Sequence, residues 1–426
     1  AQTTFTAGEL KLVININGSI TEITNISCSK NYLAKDTIAP LLVVVSNQKR
    51  YQPSSASYNK AQKKITLRYK ETGVNIDVSV RSKPTHIVFE ITKAEPANKI
   101  EAVIWGPYPT IINKTVGEII GVVRDGQTSV GIQVLNIKTL GGDYPNNEGS
   151  TWSRGIAAVS RPWGSLIQAY TINRNRNRFV DAWGGQFKNM AVAALKGESV
   201  VGSKIALFTC EESKTLDRLE QVELAEKLPH PTIKGVWFKK SNMFGRSYLI
   251  SSFSENNMDE MIAYTKKAGL ISLYHEGPFQ SWGHFILNKE QFPNGKAGLK
   301  ICADKAHAAG LLLGFHTLSN FINTDDPYVS PVPDDRLSLT GASILIKDMD
   351  ADTKEIEVAA SEYFNQQENN NLHAVKIGKE LIRYKSVTSQ PPYKLLDCQR
   401  GAFGTTAALH KKGESVGKLF DHAYQV

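Results

Sequence analysis

Leu270-Ile271-Ser272-Leu273-Tyr274, running into His275-Glu276-Gly277-Pro278-Phe279-Gln280-Ser281-Trp282-Gly283-His284, decides how the second half of this chain folds. A segment of helical period follows from Lys296 to Ala309, and Gly310-Leu311-Leu312-Leu313-Gly314-Phe315-His316 closes the stretch with a second apolar run. Two short apolar runs around a 3.6-period segment predict a parallel βαβ unit. The loops that leave parallel strands collect at one end of the sheet, where a fold carries its chemistry. Both loops are dense in reactive groups: His275, Glu276, Trp282 and His284 after the first strand, then His316, Asn320, Asp325 and Asp326 after the second.

Upstream, Gly235-Val236-Trp237-Phe238 reads as a strand and Met258 to Ala268 as a helix, which extends the unit to βαβαβ, the opening third of a (β/α)8 barrel. Pro229-His230-Pro231 favours an extended linker and marks a domain boundary. Residues 1–228 read almost wholly as strand, with Asn17-Gly18 as a hairpin turn and apolar runs at Pro40–Val45, Lys64–Tyr69, Val74–Val80, Thr85–Ile91, Ile100–Trp105, Glu118–Val123, Ser129–Leu135, Ser165–Thr171 and Lys204–Phe208. So many strands with one helical segment, Leu216 to Lys227, predict a large antiparallel β-sandwich.

From Leu337 the pattern returns to short strands, at Ser343–Ile346, Glu355–Val358, Ala374–Ile377, Glu380–Lys385 and Tyr393–Asp397. The expected layout is therefore multidomain β and α/β: an N-terminal β-sandwich (1–228), the start of a barrel (229–335), an inserted β module (336–418) and a return toward the barrel (419–426). A closed eight-stranded barrel takes about 250 residues. The length beyond residue 228, less the insert, holds three or four barrel strands, so the expectation is an incomplete barrel that a longer polypeptide would finish.

Composition limits the function classes. Hydrophobic residues make up 41% and charged residues 21% of the 426, which suits packed domains rather than disorder. The net charge of +9 is dispersed, and its one concentration, Asn173-Arg174-Asn175-Arg176-Asn177-Arg178, reads as a hairpin loop or a patch for an acidic polymer. No nucleic-acid motif accompanies it, and no apolar run is long enough for a membrane span. Four cysteines stand far apart without metal-ligand spacing, so neither a metal nor another cofactor is expected. The start Ala1-Gln2-Thr3-Thr4-Phe5 matches a mature end left by signal cleavage, which predicts a secreted, periplasmic or cell-surface protein.

Among the loop residues, Glu276 is the candidate acid, on a turn fixed by Gly277-Pro278, with His275 beside it. Trp237 and Trp282 are candidate platforms for pyranose rings, and His284, His316, Asn320 and Asp325 candidate partners of sugar hydroxyls. Asp348-Met349-Asp350-Ala351-Asp352 begins like a calcium loop but has Thr353 where glycine is needed. Arg400-Gly401-Ala402-Phe403-Gly404 lacks the strand-to-helix context of a phosphate loop. Trp152-Ser153-Arg154 and Arg161-Pro162-Trp163 combine aromatic and cationic groups that either reach a cleft or pack an interface.

Four segments carry a family resemblance: Trp105-Gly106-Pro107-Tyr108-Pro109, Tyr274-His275-Glu276-Gly277-Pro278-Phe279, Gly314-Phe315-His316-Thr317-Leu318-Ser319-Asn320 and Cys398-Gln399-Arg400-Gly401-Ala402-Phe403-Gly404-Thr405. In these the chain resembles secreted glycoside-hydrolase-like proteins of gut Bacteroidetes, and its layout looks like that of the α-galactosidase group of retaining glycosidases. The resemblance implies an N-terminal β-supersandwich before a (β/α)8 barrel, with two catalytic carboxylates on later barrel strands that have no counterpart in this sequence. The expected function is a glycoside hydrolase, or its N-terminal portion, acting on a complex polysaccharide. A polysaccharide lyase on a uronate-containing glycan and a non-catalytic carbohydrate-binding protein are the alternatives.

Overall fold

A computed structural model describes residues 2–117, 121–142, 144, 157–182, 187–319, 321–364 and 372–421. The chain divides into two compact units, one of Ala1–Lys188 with Ala193–Ser241, the other of Asn189–Val192 with Asn242–Val426.

The first unit is built from antiparallel sheets. The largest has eight strands in the order Thr115–Gly117, Val122–Arg124, Thr128–Val134, Lys204–Glu211, Ile87–Glu95, Val74–Ser82, Lys64–Tyr69, Ser55–Asn59. A second runs Leu140–Gly141, Gly164–Ile172, Ala102–Thr110, Leu42–Ser46, Lys49–Tyr51, and a third links Thr3–Ala7, Leu10–Ile14, Ile20–Asn25 and Lys30–Asn31. Inward residues of all three share one core that includes Phe5, Leu12, Leu42, Ile76, Phe89, Val103 and Trp105. Alternation along Val74–Ser82, where every second residue is buried, is the sequence cause of that face.

Trp105-Gly106-Pro107-Tyr108 is a structural device of this core. The strand bulges between Trp105 and Tyr108, and Gly106 there takes φ +88° with no room for a Cβ beside the Tyr108 nitrogen. The bulge lets both flanking aromatics point inward, Trp105 Nε1 donating to Ser203 Oγ at 2.8 Å and the Tyr108 hydroxyl to the Leu41 carbonyl at 2.8 Å.

The helix Thr215–Glu226 lays Leu219 and Val222 on Ala206, Phe208 and Cys210, so strand Lys204–Glu211 is covered on both faces. Trp237 joins the same cluster. Val236–Trp237 pairs antiparallel with Thr232–Ile233 as a small hairpin and is not the first strand of the parallel sheet.

That strand is Tyr248–Ile250, which the sequence reading passed over. It pairs parallel with Ser272–His275, and this in turn with Leu312–Phe315, through helices Met258–Lys267 and Gly295–Ala308. The βαβαβ order is as the hydrophobic periods indicate, with its first strand displaced downstream. Among the described residues the parallel strands number three and form an open sheet, not a closed barrel. Leu249, Leu273 and Leu313 face the helices and pack with Phe253, Met258, Phe292, Cys302 and Ala306.

The rest of the second unit is antiparallel. A four-stranded sheet runs Leu339–Ile344, Ser415–Leu419, Ala374–Ile377, Glu380–Arg383, and a three-stranded one runs Ile356–Val358, Tyr393–Leu396, Ser386–Val387. Ser415–Leu419, one of the two inner strands of the larger sheet, was missed because Gly417 and Lys418 interrupt its apolar pattern. Val329 and Leu337, on the segment that leaves the parallel sheet, pack against Leu372, Ala374, Leu381 and Leu419. Cys210, Cys302 and Cys398 are buried free thiols and Cys28 is an exposed one; burial pushes the Cys398 thiol up to about 12 and the Cys210 thiol up to about 11. No described helix is long and apolar enough to cross a membrane.

Candidate functional site

The carboxyl ends of the second and third parallel strands open into two loops that are stapled together. The Trp282 amide donates to Asn323 Oδ1 at 2.8 Å and the Asn323 amide to the Trp282 carbonyl at 3.1 Å. Three residues beyond Asn323, Asp326 accepts from the His284 amide at 2.7 Å, from His284 Nδ1 at 2.8 Å and from the Tyr328 amide at 3.0 Å. Burial pushes the Asp326 carboxyl up, but the Tyr328 and His284 amides and the His284 imidazole outweigh it and hold it below the usual carboxylate range. An ionised Asp326 fixes the Nδ1–H tautomer of His284. The His284 side chain is 44% exposed while that of Asp326 is fully buried, and Nε2 has no hydrogen-bond partner among the described residues.

Gly283 makes this approach possible. Its φ is +114°, and a Cβ there would lie 2.5 Å from the Asp326 carboxylate. Tyr328 stacks on His284, centroids 4.3 Å apart, and Arg336 sits over the outer face of Tyr328 while pairing with Asp334 at 2.8 Å. Tyr328, Asp334 and Arg336, together with Ile322, Leu337 and Phe420, line a cavity of about 350 Å³.

An aromatic wall stands on the other side of the same loops. The Tyr274 hydroxyl shares a 2.8 Å hydrogen bond with His316 Nδ1, and Trp282 meets the His316 ring edge-on at 6.3 Å. Phe279 bridges Trp282 and Phe315, at 5.9 and 5.5 Å.

Of the residues singled out from sequence, Trp282, His284 and His316 come together here, and Glu276 is exposed on the turn after strand Ser272–His275, with no hydrogen-bond or ion-pair partner among the described residues. His275 reaches the same end of the sheet but turns to the helix side, 2% exposed, edge-on to Phe253 at 5.1 Å. Strand alternation is the reason: Ser272 and Tyr274 face one side, Leu273 and His275 the other. His275 therefore lies on the opposite face of its strand from Tyr274, whose hydroxyl meets His316. Its Nδ1 accepts the Gly277 amide at 3.1 Å and so shapes the turn that carries Glu276. Trp237 is 1% exposed and belongs to the first unit, which removes it as a stacking platform. Asp325 is exposed while its neighbour Asp326 makes the contacts; an Asp-Asp pair in a turn gives no sequence signal as to which member points inward. Asn320 and Trp152-Ser153-Arg154 lie outside the described residues. Sequence reasoning also passed over Tyr328 and Arg336, which only the returning segment brings to His284.

Burial lowers the His275 pKa below the ordinary imidazole value, with Gln291 and Glu276 acting the other way. The unfolded chain then binds the extra proton first, so stability is complete above the unfolded value near 6.5 and falls as pH drops below it. His275→Asn keeps an acceptor for the Gly277 amide but cannot titrate. Urea unfolding of the variant should show a shallower loss of stability between about pH 7 and pH 5 than the parent; equal slopes would contradict the buried neutral imidazole.

No family model matches the chain, and no curated protein does. Solved structures similar to it include a GH36 α-galactosidase from Geobacillus stearothermophilus in complex with raffinose, at 12% identity and TM-score 0.35, covering 77% of this chain and 58% of that one. The α-galactosidase from Lactobacillus brevis is similar at 10% identity and TM-score 0.31, covering 80% and 58%. A β-arabinopyranosidase is similar at 12% identity and TM-score 0.35, covering 72% and 54%. The chain thus spans less than two thirds of each of these enzymes. Likeness at this level does not carry a function, and the chemistry of the loops has to do so.

Proposed function

We propose that the second unit carries a carbohydrate cleft of glycoside-hydrolase type, with Trp282 as the ring-stacking surface and His316, Tyr274 and His284 as hydroxyl partners. The observation that supports this reading is the aromatic wall of Trp282 and Phe279 beside the His316 imidazole, on loops that also hold the His284–Asp326 pair. The C–H faces of a pyranose suit an indole, and fixed polar groups at its edge select orientation. Glu276, an exposed carboxylate at the same strand ends, is the proposed acid, while His275 acts on it as a positioning residue through the Gly277 turn. Glycosidic hydrolysis takes two carboxyl groups flanking the bond, so a complex polysaccharide as substrate, its turnover and an extracellular location remain part of the proposal.

A lyase reading has one specific support. His284 is an exposed imidazole oriented by Asp326, the arrangement of a general base, and Arg336 lies one ring away across Tyr328. Proton abstraction beside a uronate carboxylate and loss of the glycosidic oxygen leave a C=C bond, so the products absorb in the ultraviolet, which hydrolysis products do not.

The deciding experiment offers the 426-residue chain neutral and uronate-containing polysaccharides and follows binding, reducing ends and ultraviolet absorbance. Trp282→Ala should weaken glycan binding about tenfold, roughly 1.4 kcal/mol. New reducing ends without absorbance support hydrolysis, absorbance supports elimination, and binding without turnover identifies a recognition module. Unchanged binding by Trp282→Ala would remove the cleft from these loops.

A further inference from the structure

A second cavity, of about 640 Å³, opens in the antiparallel part of the second unit, lined among others by His373, Arg383, Tyr384, Lys385, Asp397 and Gln399. Its floor is aromatic: His373 stacks on Tyr384 with centroids 5.2 Å apart and planes within 10°. Tyr384 is itself locked, its hydroxyl donating to the Phe364 carbonyl at 2.9 Å. Arg383 is aimed, not loose. Its Nε donates to the Leu372 carbonyl at 3.0 Å and its guanidinium lies 5.9 Å from the Phe403 ring centroid. Neither Nη1 nor Nη2 has a hydrogen-bond partner among the described residues, and the Lys385 ammonium has no ion pair there. These two cations contrast with Lys376, Lys394, Arg400 and Lys418 of the same module, each of which has a carboxylate within reach.

We propose that this cavity binds an anionic saccharide, with the free edge of Arg383 taking the carboxylate or sulfate, Lys385 adding charge, and Asp397 and Gln399 taking ring hydroxyls. The planar guanidinium matches an oxyanion through two parallel N–H donors. One carboxylate among two cations leaves charge for a single negative group, which disfavours a polyphosphate. The mixture of amide, carboxylate and stacked rings suits a polyol and not a bare ion. This site is separate from the loops around Trp282, and it rests on the proposed function only in taking the ligand to be a sugar.

The test titrates the full chain with trigalacturonate, a sulfated disaccharide and maltotriose at low and high salt. At least one acidic probe should bind tenfold or more tighter than maltotriose, and salt should erode the difference. Which probe does so separates a carboxylate from a sulfate ligand. Arg383→Met should abolish the preference, Arg383→Lys should restore it in part, and Lys385→Met, at an exposed position, should reduce it with the melting temperature unchanged. Equal binding of all three probes, or full acidic preference in a folded Arg383→Met or Lys385→Met chain, overturns the proposal. Trp282→Ala should leave the acidic preference in place. An Arg383-dependent preference in a chain whose neutral-glycan binding Trp282→Ala leaves unchanged would sink the loop cleft alone, and neutral-glycan binding lost in Trp282→Ala with no acidic preference would sink this site alone.

Discussion

Glu380→Ala is expected to be the most damaging single substitution in the second unit, costing about 3–5 kcal/mol. The Glu380 side chain is fully buried and accepts from Arg400 Nε and Nη2 at 2.7 Å each, from His410 Nε2 at 2.8 Å, and from the Gly401 and Ala408 amides at 2.9 and 3.1 Å. Burial pushes its carboxyl up, but Arg400, the Gly401 amide and His410 together hold it below the usual range. Arg400 is nearly as buried, so removing the carboxylate strands a guanidinium and two amides without water. Against a typical stability of about 5–15 kcal/mol, such a loss shifts the melting temperature by roughly 10 °C. Calorimetry of the variant checks it. A shift of a degree or two would mean that the network is dispensable, and Glu380→Leu with Arg400→Met should recover much of the loss.

Gly283→Ala is the second large effect expected, and it falls on the site. Two costs combine there, about 1–3 kcal/mol for an alanine at that positive φ and a similar amount for the overlap with Asp326. The loop can relieve the overlap only by moving Asp326, which breaks the His284 dyad. We expect the slowly exchanging proton on His284 Nδ1 to vanish from the NMR spectrum and any turnover to fall with it. Overall melting should shift less than in Glu380→Ala, because the loop is peripheral to the cores. An intact His284 Nδ1 resonance in Gly283→Ala would show that the dyad does not depend on the close approach.

The comparison of sequence and structure separates what periodicity encodes from what it leaves out. The bounds of Lys64–Tyr69 were legible because alternating burial is a local pattern, those of Ala374–Ile377 as a short, mostly buried run, and both helices of the βαβαβ segment through their 3.6 period. Tyr248–Ile250 was not, since a three-residue strand with two exposed members carries no period of its own. Trp237 was misplaced because an isolated indole looks the same in a core and in a cleft. For the site, the loops were identifiable from composition. Whether His275 or Tyr274 faces away from the helices hung on a register of one residue, and Asp326 and Tyr328 become visible only when the second loop folds back on the first.

The distribution of sulfhydryls has a practical consequence. Cys210, Cys302 and Cys398 are shielded within cores, whereas Cys28 sits exposed on the turn after strand Ile20–Asn25 of the first unit. Thiol-directed fluorophores should therefore conjugate at one place without prior engineering. A dye on Cys28 would report the melting of the first unit, and the difference from a global probe such as calorimetry would report the second.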